Sequence, residues 1–321
     1  MSKLYQIRHV TRYFYENEIT ENVMEVRKCP VNRPTQRCMS FNLETKPRAT
    51  LFQYEEFTGN IVHSFDVPQR HKSLVVTAET VIEVKEGKPI PDKVDNDCWD
   101  RLASMEEEGD CLDYLLPSRL VEFTELLQNY FGEVGPRNDE DPLTFLKRLN
   151  GDIAQGFEYV PKSTQVDSSI DEALRKKQGV CQDFAHIMLG VSRMAKIPAR
   201  YVSGYLFRCP DGNDRSSSEA SHAWIEAFLP GLGWIGFDPT NNIMAGDRHI
   251  VTSIGRDYGD VPPTRGVFRG MCASELSVAV QVNAADSPHL DDDFKRMDES
   301  DLSPEIVAEE IRKEMAEQAQ Q

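Results

Sequence analysis

The chain has 321 residues, 40% of them apolar and 9% aromatic, enough to bury a real core and too many for general disorder. It holds 36 Lys and Arg against 53 Asp and Glu, a net charge of -17, which argues against nucleic acid or an anionic membrane surface as partner. No apolar run has the length of a membrane span. The excess acid is uneven, because the segment 286–321 alone carries twelve acids against four basic residues.

The first 85 residues read as strands. Leu4 to Tyr15 is rich in Tyr, Ile, Val and Phe, and Ser40–Glu44, Leu51–Phe57, Ile61–Val67 and Leu74–Val84 follow at short spacing, with Thr58-Gly59-Asn60 as a turn. An all-β module over 1–88 is expected, ending near Gly87-Lys88-Pro89. The stretch 89–113 is rich in acids and poor in apolar periodicity, and it reads as an exposed connection.

Helices come next, in a core expected to run from 114 to 285. Ser118 to Tyr130 has helical spacing, and Asp141-Pro142 caps a helix through Ile153. Ser169-Ile170-Asp171-Glu172 is a capping-box pattern for a short helix stopping by Gly179. Cys181 opens a further helix whose apolar stripe ends before Pro198. Arg200–Phe207, His222–Leu229 and Trp234–Asp238 are then predicted strands. Helices first and strands afterwards mean α+β rather than a doubly wound parallel sheet. The tail 286–321 reads as an acidic extension with one amphipathic stretch from Ser303.

Seven cysteines, at 29, 38, 98, 111, 181, 209 and 272, are an odd number with no CxxC spacing, so neither a disulfide framework nor a zinc knuckle is expected. The opening Met-Ser-Lys-Leu-Tyr-Gln-Ile-Arg-His shows no apolar signal region, which gives a cytoplasmic location as the expectation.

Three residues of the core suit nucleophilic chemistry. Cys181 stands at a helix start, where unpaired N–H groups and the positive end of the helix dipole stabilise a thiolate and can hold an oxyanion. His222 opens a strand and has the intrinsic pKa of a general base and acid. Asp238 closes the next strand before Pro239 and can orient the second ring nitrogen, as the third member of a triad does. Parity imposes a condition: His222 and Asp238 share a face only if paired residue numbers sum to an even value, as when Trp224 pairs with Asp238, and a three-residue loop or a bulge near Gly233 is expected to supply it.

Other candidates rank lower. His186 lies five residues past Cys181, roughly 140° around the helix, and so faces away. Its pairing with Asp183 offers two ligands without a third, and no metal site or cofactor is expected. His9, His63 and His249 read as packing or surface residues. Trp224 and Trp234 read as core or cleft-wall aromatics around the imidazole, and Tyr159 as a weak candidate for the cleft. Asp211-Gly212-Asn213-Asp214 lacks the spacing of a calcium loop, and Asp291-Asp292-Asp293 reads as solvated tail.

Gly179-Val180-Cys181-Gln182-Asp183-Phe184-Ala185-His186, Ile197-Pro198-Ala199-Arg200-Tyr201, Ser221-His222-Ala223-Trp224 and Gly233-Trp234-Ile235-Gly236-Phe237-Asp238-Pro239-Thr240 resemble the core of the bacterial transglutaminase-like family. Gly255-Arg256-Asp257-Tyr258 and Pro262-Pro263-Thr264-Arg265-Gly266 resemble it too. Ile7-Arg8-His9-Val10-Thr11-Arg12-Tyr13 and Gly59-Asn60 are similar to its β-rich amino-terminal region. The resemblance spans about residues 3 to 283 and leaves out the acidic connection and the tail. It implies a papain-like α+β core, helices packed on an antiparallel sheet, with Cys181, His222 and Asp238 as a triad. It also implies thiol-dependent acyl chemistry on a protein or peptide amide, resolved by water, the more generic outcome, or by an amine. The alternative from another class is an interaction module that keeps the fold without turnover.

Overall fold

The computed structural model describes residues 2–95, 97–109, 111–208, 214–215 and 221–289. The expected helix from Ser303, the acids at 291–293, Cys209 and the segment 211–213 lie outside the described residues.

The amino-terminal strands are β1 (Ser2–Ile19), β2 (Glu21–Cys29), β3 (Gln36–Lys46), β4 (Phe52–Glu55), β5 (Ile61–Val67) and β6 (His71–Lys85). The middle of the chain folds into α1 (Cys98–Glu108), α2 (Glu125–Val134), α3 (Pro142–Gly156), the short β7 (Glu158–Tyr159), α4 (Ile170–Lys176), the short β8 (Gln178–Gly179) and α5 (Cys181–Met194). Strands β9 (Ala199–Leu206), β10 (His222–Leu229), β11 (Gly233–Asp238), β12 (Ile243–Met244) and β13 (His249–Gly255) follow, then β14 (Thr264–Arg269) and β15 (Ser274–Ala285). The molecule is α+β, as the order of elements requires. No helix among the described residues is long and apolar enough to cross a membrane.

Two four-stranded sheets, ordered β15-β1-β6-β3 and β14-β2-β5-β4, face each other. Tyr15, Ile19, Met24, Val26, Phe65, Leu74 and Val76 fill the space between them. Both sheets recruit a strand from the far end of the chain: Leu4 pairs with Ala285 and Val26 with Thr264. The segment 264–285, assigned by sequence to the core, is thus hydrogen-bonded into the amino-terminal sheets.

The third large sheet, β12-β11-β10-β9-β13, carries the helices on one face. Phe184, Ile187, Met188 and Val191 of α5 pack there against Ala199, Tyr201, Ile225 and Phe237. Its other face meets the amino-terminal module through Tyr5, Ile7 and Ile82 against Tyr205 and Ile250, and through Val31 against Trp224. A sheet covered on both faces explains why β10 is buried almost throughout.

The outer edge of β13 is buried and is met by side-chain amides and the Val31 N–H, which donates to the Val251 carbonyl at 3.2 Å. Gln36 accepts the Val251 N–H at 2.8 Å and donates to the Val251 carbonyl at 2.8 Å. Asn60 does the same for Ile254, at 2.8 and 2.9 Å. Each amide mimics one peptide unit and so blocks pairing with another chain.

Two further expectations differ from the fold. The acidic stretch 89–113 is not merely an exposed connection, because it contains α1, anchored by fully buried Cys98 and Leu102 and by Trp99, whose indole donates to the Glu140 carbonyl at 2.8 Å. Two apolar anchors four residues apart suffice for one helical face, and the acids occupy the rest. Helix α2 begins at Glu125 rather than near Ser118, because the Thr124 hydroxyl caps it by accepting the Leu127 N–H.

Candidate active site

Helix α5 starts abruptly at Cys181. Asp183 accepts the Val180 N–H at 2.8 Å and the Thr164 hydroxyl at 2.6 Å, which fixes the chain as it enters the helix. A Cβ on Gly179 would stand 2.8 Å from the Asp183 Cβ, so the glycine makes room for that turn. The first intrahelical donors are Asp183 and Phe184, both to the Val180 carbonyl. The N–H groups of Cys181 and Gln182 therefore precede the helical ladder, at its positive end.

The β10–β11 hairpin meets the parity condition. Leu229 pairs with Gly233 across the three-residue loop Pro230-Gly231-Leu232, and Ile225 pairs with Phe237. Gly231 and Gly233 take φ of 88° and 80°, left-handed values that such a loop demands. In this register Trp224 lies opposite Asp238, with His222 diagonal to it on the same face.

His222 Nε2 and Asp238 Oδ2 are 2.7 Å apart, and the two side chains are 2% and 0% exposed. The carboxylate receives more than one ring. Oδ1 accepts the N–H groups of Thr240 and Asn241 at 3.0 and 3.1 Å; Oδ2 also accepts the Asn241 amide at 2.8 Å and faces His249 Nε2 at 3.2 Å. Five donors on one carboxylate compensate its burial, and with the His222 charge they hold Asp238 far below the ordinary carboxylate range.

Burial alone would drive His222 towards neutrality, but the Asp238 charge and hydrogen bond, joined by Cys181, push its pKa up to about 10. With Nε2 engaged by Asp238, Nδ1 is the ring nitrogen left for the Cys181 thiol. Nδ1 is buried and has no partner at standard hydrogen-bond geometry among the described residues.

Trp224 stacks on the His222 ring at 5.9 Å with its plane tilted by 28°. Trp234 does not join it. It sits four residues back along β11, among Tyr114, Phe228 and Arg200, with the guanidinium 4.0 Å above the ring. Tyr159 packs at the edge of Phe184, 6.4 Å away. His9 contacts the Tyr205 hydroxyl at 2.9 Å, and His63 packs on Phe41. His186 is turned from the hairpin, as helical geometry requires: its Nε2 accepts the Tyr258 N–H at 3.2 Å, and burial lowers its pKa to about 4.

Tyr258 also feels the charge of Cys181. Burial first, then Tyr13 and the Cys181 charge, raise the Tyr258 hydroxyl to about 12, and fully buried Tyr201 feels the same thiol. Sequence reasoning assigned no role to Tyr258 or Tyr201, none to Asn241, and only packing to His249. Asn241 had a local signal, since Asp-Pro-Thr-Asn is an Asx-type turn that returns donors to the aspartate. His249 had none.

His222, Asp238 and His249 are also the one group among the described residues with ligand atoms close enough for a metal, all within 4.8 Å. Their proximity is accounted for by two ring N–H groups aimed at a single carboxylate oxygen.

Comparison with known proteins agrees with this architecture. The transglutaminase-like superfamily pattern matches residues 133–239, and the bacterial transglutaminase-like N-terminal region matches 5–83. An uncharacterized protein of Mycobacterium leprae is 32% identical over 280 residues, covering 86% of this chain and 97% of its own length. The chain belongs to the transglutaminase-like superfamily. A Mycobacterium tuberculosis relative is 31% identical over 293 residues, 87% of this chain and 92% of that protein. The transglutaminase-like core also aligns with a protein-glutamine gamma-glutamyltransferase of Pseudomonas aeruginosa, 36% identical over 103 residues, which covers 30% of this chain and only 15% of that enzyme. Among solved structures, a protein of Cytophaga hutchinsonii proposed to be a cysteine protease has the same fold, with a TM-score of 0.68 over 90% of this chain and 93% of its own at 19% identity. A transglutaminase-like, papain-like fold supports cysteine-based catalysis.

Proposed function

We propose that this chain is a thiol-dependent acyl-transfer enzyme acting on amide bonds of proteins or peptides, with Cys181, His222 and Asp238 as its triad. The observation that carries the reading is the buried 2.7 Å contact between His222 and Asp238, which leaves the other ring nitrogen to a thiol at a helix N-terminus. In the first half-reaction the Cys181 Sγ attacks the amide carbonyl carbon. The C–N bond then breaks as the His222 Nδ1 proton passes to the departing amine, leaving an acyl thioester. In the second, water or an amine loses its proton to Nδ1 and attacks the thioester, and the thiolate leaves. Asp238 holds the ring in the tautomer and orientation both steps need. The first helical N–H groups are placed to receive the oxyanion.

A ring that keeps its proton through neutral pH is an acid for the leaving amine and a counter-ion for the thiolate. The Pseudomonas transferase supports the amine branch and the Cytophaga protein the hydrolytic one, so the acceptor is decided by assay. Iodoacetamide at low concentration and neutral pH should label Cys181 first, and Cys181→Ala should abolish that labelling while Cys272→Ala leaves it intact. Glutamine-containing peptides incubated with and without a fluorescent primary amine then separate transfer from hydrolysis. Dominant labelling of another cysteine would overturn the assignment.

A further inference from the structure

His249 reaches Asp238 by an unusual route. Strand β13 pairs with β9, on the far side of the sheet from β11. The chain between β12 and β13 passes from one edge of the sheet to the other and delivers His249 at the first position of β13, in a T-shaped contact with Trp224 at 5.1 Å. His222, Trp224 and His249 thus form a three-ring cluster, with the two imidazole centroids 6.2 Å apart, and both imidazoles turn Nε2 to the same oxygen, at 2.7 and 3.2 Å.

The tautomer of His249 follows from its turn. The Gly246 N–H donates to His249 Nδ1 at 3.2 Å, while the His249 N–H returns to the Gly246 carbonyl at 3.0 Å. A ring nitrogen that accepts carries no proton, so in the neutral ring the hydrogen is on Nε2 and points at Asp238. The groups facing the ring are Asp238 from β11, His222 from β10 and Arg248 beside it in the chain. Burial, aided by His222 and Arg248, outweighs Asp238 and keeps His249 neutral. The two histidines therefore differ in charge: one carries a proton that can move, and the other is a fixed donor.

We propose that His249 is a positioning residue of the site, an Nε2–H donor that pins Asp238 Oδ2 so that the carboxylate stays turned to His222. The inference rests on the catalytic reading of Cys181, His222 and Asp238, and it deepens that reading. Without His249 the oxygen keeps Asn241 and His222 but loses its third donor, and the carboxylate can swing off the His222 axis. Burial of His222 is then less fully offset, so the ring gives up its proton at lower pH. The thiolate–imidazolium pair weakens with it.

The test uses the full chain labelled with 15N-histidine, and two substitutions. His249→Phe keeps an aromatic ring against Trp224 without the donor, and His249→Gln offers an amide N–H in its place. In the unsubstituted protein the ring nitrogens of His249 should report a neutral Nε2–H tautomer at pH 7. His249→Phe should lower the His222 midpoint by about one pH unit, and iodoacetamide alkylation of Cys181 near pH 6 should slow on the order of tenfold, its acid limb moving to higher pH. His249→Gln should recover part of both. An Nδ1–H tautomer or a charged His249 at pH 7 in the unsubstituted protein overturns the proposal even if no variant folds. So does a folded His249→Phe protein with an unchanged His222 titration. Both NMR readouts are independent of which cysteine reacts, so they stand apart from failure of the catalytic reading, which would show as preferential labelling elsewhere.

Discussion

Arg33, in the loop between β2 and β3, reaches Glu226 on β10 at 2.6 Å, and Arg200 on β9 grips the other carboxylate oxygen at 2.6 Å. A buried acid thus joins the amino-terminal module to the strand that bears His222. Burial opposes its ionisation, but the two guanidinium groups more than offset that and hold Glu226 below its usual range.

Replacing Glu226 with Gln leaves two guanidinium groups facing an uncharged amide and should cost about 3 kcal/mol at pH 7, measured by urea unfolding. The sign of the pH dependence follows from the depressed pKa. Stability from Glu226 is fully present above the unfolded-state value of about 4.3 and is lost as pH falls through the folded-state value. The gap between the two proteins should therefore close below about pH 4. A gap independent of pH would mean that shape, not charge, is what the substitution removes.

Asp238→Asn should be nearly as damaging as Asp238→Ala. An asparagine that presented its oxygen to His222 would lose little, but the backbone N–H groups of Thr240 and Asn241 already claim an acceptor at the Oδ1 position. The amide oxygen settles there, and the NH2 group meets two ring N–H groups. His222 must take the other tautomer, and acylation of Cys181 should fall by roughly 10³ to 10⁴. Acylation kinetics of the folded variant decide the matter, and near-normal rates would show that the ring is oriented by something else.

Leu102→Ala should destabilise the chain by about 3 kcal/mol, as expected for a fully buried leucine. Substituting exposed Glu107 in the same helix should change stability by less than about 0.5 kcal/mol. If thermal unfolding does not separate the two variants, α1 is not part of the cooperative core.

Ending the chain after Ala285 keeps each described strand, and that truncated protein should retain one cooperative unfolding transition. Ending it after Ala273 removes β15 and strips β1 of the partner it holds from Leu4 to Tyr15. That form should unfold at lower denaturant concentration or be recovered as aggregate, which size-exclusion chromatography would register.

The parts legible in the sequence are those with local rules. Asp141 and Ser169 mark helix starts because their side chains cap the N–H groups that follow, and a shared face for His222 and Asp238 limits the β10–β11 hairpin to an odd loop or a bulge. Strand β15 alternates Leu276, Val278, Val280 and Val282, so its strand character is visible, but nothing nearby says that its partner is β1. The edge of β13 is closed by Gln36 and Asn60 through amide geometry that leaves no periodic trace. His249 is hidden for the same reason, since its contact depends on a passage from one edge of the sheet to the other and not on spacing along a strand.

The pairing of Leu4 with Ala285 also sets an order of events during synthesis. A ribosome adding about 5–20 residues per second needs roughly a quarter of a minute to a minute between these two residues. Throughout that interval the outer edge of β1 emerges without its final neighbour, a strand template open to any other nascent chain. Early docking of β6 on the inner edge of β1 leaves that exposure in place. The module made first is therefore the last to be sealed, once Ser274–Ala285 has left the ribosome.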